Sequence, residues 1–355
     1  MSIPSSKREV ILGVDTHLDI HMGVLISSTG KLLGELPTET NTAGYQKLLK
    51  WAQSFGQLNR AGVEGTGTYG AGLTRVLREH GVTVYEVNRP DRSRRRLQGK
   101  SDPIDAENAA RAVLAGRAVA IPKEQSGAAE AMRIICVARR SAVKAKTQAI
   151  NQLRALLISA PDDIRARLLR SKPEDCVAAC ARLRSLGETP HLHALTISLR
   201  VLAKRWRILA EEIKEHDRAL DELTAQHAKR LRQQFGVGPQ TAAILLSVAG
   251  DNPERLRNEA ALAALCGVNP LPASSGKTVR HRLNRGGSRT ANNALWTIAM
   301  VRMRSEPRTR AYMARRECEG LSTKEIHRCL KRYIVRELYP LILADLTESS
   351  GYYLT

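Results

Sequence analysis

The sequence predicts two fold classes in one chain: a mixed α/β domain first, and an all-α remainder after it. Three observations carry this. Residues 9–36 read as three successive strands, EVILGVDTH, DIHMGVLIS and KLLGELPT, with Ser28-Thr29-Gly30 turning into the third. Residues 43–87 then alternate helix and strand, the signature of a sheet covered by helices. After about residue 120 the strand signal stops and helical periodicity takes over.

Taken in order, AGYQKLLKWAQSF at residues 43–55 has helical spacing. Residues 61–64 form a short strand ending at Gly65, and residues 69–80 form a helix stopped by Gly81. Residues 82–87 form another strand. In KSDPIDAENAARAV, Asp102 suits an N-cap and Pro103 the first helical position. Residues 126–160 are helical and rich in small apolar side chains. Residues 161–194, with Pro161, Pro173 and Pro190, read as a linker or short helices. Leu195, Leu199, Leu202, Trp206, Leu209, Ile213, His216, Leu220, Leu223 and His227 then follow steps of four and three, the a/d seam of a coiled coil. An ordinary long helix packed inside one subunit is the alternative. From residue 231 the chain is helical with loops, and Ser322 to Glu325 is a capping box. The expected domains are 1–122, 123–230 and 231–355.

Charge narrows the function. Across 355 residues, 56 Lys and Arg face 35 Asp and Glu, a balance of +21, which attracts polyanions. No basic amphipathic helix dominates, so nucleic acid is favoured over a membrane surface. Aromatics make up only 4%, which points to phosphate contacts and away from base-stacking platforms. No apolar run is long enough to span a bilayer, and MSIPSSKREV has no signal-peptide core, so a cytosolic, nucleoid-associated protein is expected. Cys136, Cys176, Cys180, Cys266, Cys318 and Cys329 form no C-x-x-C pair and read as scattered reduced thiols.

Four acids stand out. Asp15 ends the first strand, Glu64 ends a later one, and Asp102 and Asp105 share one helical face. Carboxylates converging from strand ends and a nearby helix repel one another and cannot all ionise without a cation. Mg²⁺, which prefers hard oxygen ligands and phosphate, answers that need. Paired metal ions of this kind activate nucleophiles and stabilise leaving oxygens in phosphoryl transfer. Just before the aspartate pair, residues 89–100 hold six basic residues against one acid, among them Arg94, Arg95, Arg96 and Lys100. They suit a phosphate backbone or a solvated loop.

Two further stretches carry chemistry. Phe235-Gly236-Val237-Gly238-Pro239 before an apolar helix resembles a helix-hairpin-helix element, whose Gly236 and Gly238 allow close approach of a phosphate. Residues 260–305 contain no Asp or Glu but carry Lys277, Arg280, Arg282, Arg285, Arg289, Arg302 and Arg304. Within that stretch Ser274-Ser275-Gly276 is a turn leading into cations, where a serine activated by positive charge can attack a phosphodiester.

In this order, Asp15, Glu64, Asp102, Asp105, then GVGP, then PxxSSGKxxxxRLNRGGSRTANNAL resembles the DEDD-type insertion-sequence transposases guided by a bridge RNA, the "one-ten" insertion-sequence family. The resemblance covers nearly the whole chain. It implies a RuvC-like (RNase H-like) N-terminal domain, a coiled-coil middle and a mainly helical C-terminal transposase domain. It also implies Mg²⁺ on Asp15, Glu64, Asp102 and Asp105, and Ser275 as nucleophile with Ser274 the adjacent alternative. The implied partners are donor and target DNA, a non-coding bridge RNA and further copies of the chain, from dimer to tetramer. Segment 161–194 matches no pattern of that family. Three rivals remain open on the residues alone: a hydrolytic RuvC-like nuclease needing the acids but no serine, a non-enzymatic nucleic-acid binder, and an actin-like ATPase faintly suggested by GVDTH and EGTGTYG.

Overall fold

The computed structural model describes residues 8–87, 101–278 and 280–351. They belong to two compact units, Met1–Gln125 and Ser126–Thr355.

The first unit is built on a five-stranded sheet of order β3-β2-β1-β4-β5. The strands are β1 (Glu9–Thr16), β2 (Ile20–Ser27), β3 (Leu32–Glu39), β4 (Gln57–Glu64) and β5 (Thr83–Val87). The first three form antiparallel neighbours, whereas β4 lies parallel to β1 and β5 parallel to β4. Parallel pairing needs crossovers, and α1 (Thr42–Phe55) and α2 (Ala71–Glu79) supply them. Strand β4 starts four residues before the expected one, and Arg60 ties it to Glu9 through two hydrogen bonds of 3.0 Å.

The alternation of β1 assigns its two faces. Val10, Leu12 and Val14 pack with Leu48, Leu49 and Ala52 of α1 and with Leu73 and Leu77 of α2. Ile11, on the opposite face, packs with Ile26 and with Ala110 and Val113 of α3 (Asp102–Leu114). Gly13 and Gly62 are register partners on that second face. A Cβ on Gly13 would lie 2.0 Å from the Ala106 carbonyl oxygen, and one on Gly62 2.7 Å from that of Ala109. The two bare positions let α3 lie flat on the sheet. The cap of α3 is Ser101, so Asp102 is its first helical residue instead of its N-cap. Asp102 and Asp105 still share a face.

In the second unit, α4 (Ala128–Ile158) and α7 (Pro190–His227) form an antiparallel pair. Arg139 pairs with Asp217, and Lys146 lies over the Trp206 ring. Every a/d position of α7 is buried or half-buried. Leu199 and Trp206 share a core with Leu153 and Leu157 of α4 and Val177 of α6. The heptad seam is therefore covered inside one chain. Residues 161–194 contain α5 (Asp162–Leu168) and α6 (Pro173–Ala181). Cys180 in α6 sits beside Cys176, and burial pushes its thiol up to about 12. All six cysteines are free.

The remaining helices are α8 (Lys229–Arg232), α9 (Pro239–Ala249), α10 (Glu259–Leu265), α11 (Arg289–Ser305), α12 (Pro307–Cys318) and α13 (Thr323–Gly351). Leu245, Leu246, Leu295, Ile298, Ile334 and Leu338 form their core, which also takes in Met132 of α4 and Leu220 of α7. The boundary expected at residue 230 falls inside this unit. His227 Nδ1 lies 3.1 Å from Ser349 Oγ of α13. The Ser322 capping box forms, with the Ser322 amide donating to Glu325 at 2.9 Å. One element departs from the helical expectation: β6 (Pro270–Pro272) and β7 (His281–Leu283) make an antiparallel hairpin.

Candidate active site

Parallel pairing sends the C-terminal ends of β1 and β4 to the same edge of the sheet. Val14 pairs with Val63, so Asp15 and Glu64 follow side by side. The Thr16 hydroxyl donates to the Glu64 carbonyl at 2.8 Å and holds the two ends together. Asp15 lies two residues beyond Gly13, and Glu64 two beyond Gly62, so both occupy the face that α3 covers. The first turn of α3 adds Asp102 and Asp105, where the helix dipole favours negative charge.

Asp15 and Asp105 are buried, at 6% and 5% exposure. The Asp102 side chain is about half exposed. Burial pushes the Asp15 carboxyl above its usual range; Asp102 and Asp105 push it further, against an opposing pull from His17. Asp102 and Asp105 thus lie near enough to act on the Asp15 carboxyl. His17 completes it: its Nε2 lies 3.3 Å from Asp15 Oδ2 and 3.4 Å from Asp102 Oδ1. One ligand atom from each of Asp15, His17 and Asp102 falls within 4.8 Å of the others. This donor set, several carboxylates with one imidazole around a carboxyl that resists ionising, suits a divalent cation. The sequence reading missed His17, although its position two residues after Asp15, in the turn leaving β1, was a usable signal.

The serine lies in the second unit, on the β6–β7 hairpin. Ser275 and Thr278 exchange two backbone hydrogen bonds of 3.1 Å. Gly276 between them has φ +54°, a left-handed turn that a side chain would strain. Ser274 Oγ accepts the Arg280 amide at 3.3 Å. Ser275 is exposed, and among the described residues its hydroxyl has no partner. The adjacent serines therefore differ, one tethered and one free. The base of the hairpin is locked. Asn284 Nδ2 donates to the Ala264 carbonyl and to Asn269 Oδ1. Asn292 Nδ2 donates to the Cys266 and Gly267 carbonyls, and Lys331 Nζ donates to Asn292 Oδ1 at 2.8 Å.

Lys277, Arg280, Arg282, Arg285 and Arg289 are all exposed. Among the described residues none of the five is ion-paired. Arg302 differs: it is 5% exposed, pairs with Glu337 through two hydrogen bonds, and donates to the Phe235 carbonyl at 2.9 Å. It braces the 235–239 hairpin and is not available to a phosphate. In that hairpin Gly236 has φ +81°. The Gly238 amide is committed, donating to Thr241 Oγ1 at 3.0 Å. Arg94, Arg95, Arg96 and Lys100 lie outside the described residues.

Among the described residues, no helix is long and apolar enough to cross a membrane. No curated protein matches the chain. Two family comparisons do. A transposase family of the IS110 DEDD type matches residues 12–160, which include all four acids. The second match, at residues 228–314, takes in the 235–239 hairpin and the Ser275 hairpin. The expected RuvC-like α/β domain followed by helices agrees with the sheet and helices described above. On both matches, the chain belongs to the transposase IS116/IS110/IS902 family.

Proposed function

We propose that this transposase cuts and rejoins DNA strands through a covalent phosphoserine intermediate. Asp15, Glu64, Asp102 and Asp105 would hold a divalent cation, Mg²⁺ by the hardness of their oxygens, and Ser275 is the nucleophile. The convergence of Asp15, Asp102 and Asp105 in one pocket supports this reading most strongly. When bound, the cation neutralises charge that builds on the phosphodiester oxygens. Ser275 Oγ bonds to phosphorus as the bond from phosphorus to the leaving strand's oxygen breaks, and the serine proton passes through water to that oxygen, which departs as a hydroxyl. The phosphoserine keeps the energy of that bond. A strand hydroxyl then attacks phosphorus, releases Ser275 and needs no ATP. The tether on Ser274 favours Ser275 for this role.

Lys277, Arg280, Arg282, Arg285 and Arg289, with Arg94, Arg95, Arg96 and Lys100, contact the phosphate backbones of donor and target DNA and of a bridge RNA. Gly236 and Gly238 shape a further backbone contact at a helix-hairpin-helix. Sequence choice is left to base pairing with the RNA, because charge alone reads no bases. Residues 1–122 serve as the metal-binding domain, 123–230 as the coiled-coil domain and 231–355 as the transposase domain of a nucleoid-associated protein. The exposed side chains of Ile197, Val201 and Ile208 on α7 offer a face for assembly of dimers to tetramers.

The test is adduct trapping on a DNA substrate with divalent cation. Ser275→Ala abolishes the covalent protein–DNA species and Ser274→Ala retains it, while Asp15→Asn abolishes cleavage. Cleavage by Ser275→Ala without an adduct would favour a hydrolytic nuclease. Full cleavage by Asp15→Asn would remove the acidic pocket from the reaction, and binding of DNA without cleavage by the unaltered protein would favour a non-enzymatic binder.

A further inference from the structure

We infer that His17 is a nitrogen ligand of the cation pocket and turns its preference from Mg²⁺ toward Mn²⁺. The inference rests on the proposed pocket and concerns which ion it selects.

The distances carry the argument. A protonated imidazole bonded to a carboxylate closes to about 2.7–2.9 Å. His17 Nε2 instead stands 3.3 Å from Asp15 Oδ2 and 3.4 Å from Asp102 Oδ1, with no preference between them. Two neighbouring ligands on a six-coordinate ion with bonds of about 2.1 Å lie about 3.0 Å apart. The observed spacing is closer to that of co-ligands around a shared centre than to that of a strong ion pair. The His17 backbone is also fixed in place: its carbonyl accepts the Thr40 hydroxyl at 3.2 Å, and the Thr40 amide donates to the Asp19 carbonyl at 3.0 Å. The ring thereby starts from a fixed backbone point beside the acids.

Ligand chemistry names the ion. Mg²⁺ takes oxygen and gives up its waters reluctantly, whereas imidazole suits first-row transition ions. Carboxylate oxygens dominate the rest of the set, which suits Mn²⁺ among those ions; Zn²⁺ favours four-coordinate nitrogen and sulfur sites.

The experiment uses the full chain with Mn²⁺ as the probe. Electron spin-echo envelope modulation on the bound Mn²⁺ reads a directly coordinated ¹⁴N, and calorimetric titration reads both affinities. The unaltered protein shows ¹⁴N modulation, and His17→Ala and His17→Gln lose it. Mn²⁺ binding weakens about tenfold in both variants and Mg²⁺ binding less than about threefold. His17 is about half exposed, so neither substitution threatens folding. Bound Mn²⁺ without ¹⁴N modulation overturns the inference, as does an equal loss for both ions. A gain in Mg²⁺ affinity on removing His17 also overturns it, because the ring would then be acting as a resident counter-charge. Asp15→Asn separates the two levels. If Mn²⁺ binding depends on Asp15 but shows no nitrogen, only the role of His17 fails. If binding is absent or ignores Asp15, the pocket and the inference fall together.

Discussion

Gly13→Ala tests how the fold builds the acidic pocket. The added Cβ would lie 2.0 Å from the Ala106 carbonyl oxygen and 2.5 Å from the Ala110 amide nitrogen. Both are helix backbone, so neither can rotate away. Ordinary contact begins near 3.4 Å, so α3 must rise from the sheet by about 1.4 Å at that point. Asp102 and Asp105 ride on α3, while Asp15 stays on β1. Overpacking of this kind costs about 1–3 kcal/mol, and a misplacement of about 1 Å lowers a catalysed rate about 100-fold. Calorimetric Mn²⁺ titration should show binding weakened about tenfold or more. Thermal unfolding should show a midpoint lower by roughly 4 °C for each kcal/mol lost. Gly67→Ala is the control, since its Cβ meets only the far end of the Gln125 side chain at 3.4 Å. If Gly13→Ala folds and binds the ion with unchanged affinity, the glycine saddle does not place the aspartates.

Other outcomes follow from the second unit and from the sheet. Arg282→Gln and Arg285→Gln should each lower the slope of log binding constant against log salt by about one, measured by fluorescence anisotropy on duplex DNA. Unchanged slopes would remove these side chains from the phosphate contacts. His21 is fully buried and stacked on Tyr45, and burial holds its imidazole below the ordinary value. The unfolded chain therefore binds the extra proton first. The stability linked to His21 is complete above about pH 6.5 and is lost as pH falls below it. His21→Phe should flatten part of that decline in thermal midpoints between pH 5 and 7.5, and an identical decline in both proteins would refute the assignment.

The strand ends that carry Asp15 and Glu64 and the helix start that carries Asp102 and Asp105 were legible because they are local signals. What joins them was not. The role of Gly13 and Gly62 depends on their register across two strands that are distant in sequence, and no single window shows that pairing. His17 was passed over because a lone histidine beside an aspartate is ordinary. The heptad of α7 was legible as a period, but a period says only that one face is apolar. It does not say that α4 of the same chain covers that face. The β6–β7 hairpin was invisible for a different reason: its strands are three residues each, and one carries prolines at both ends, which propensity counts against a strand. Arg302 was grouped with the free cations because a charge count cannot see burial.

The closed seam of α7 constrains how this arm can change in length. The helix has 38 residues, a rod of about 57 Å. Inserting one residue midway rotates everything beyond it by about 100°. Leu220 and its neighbours would then turn to water, and polar side chains would face α4. Inserting seven residues nearly restores the phase. The arm can therefore change length only by insertions that nearly restore the helical phase, such as about seven or eleven residues matched on both helices, so the distances it spans change in steps of about 10 Å or more.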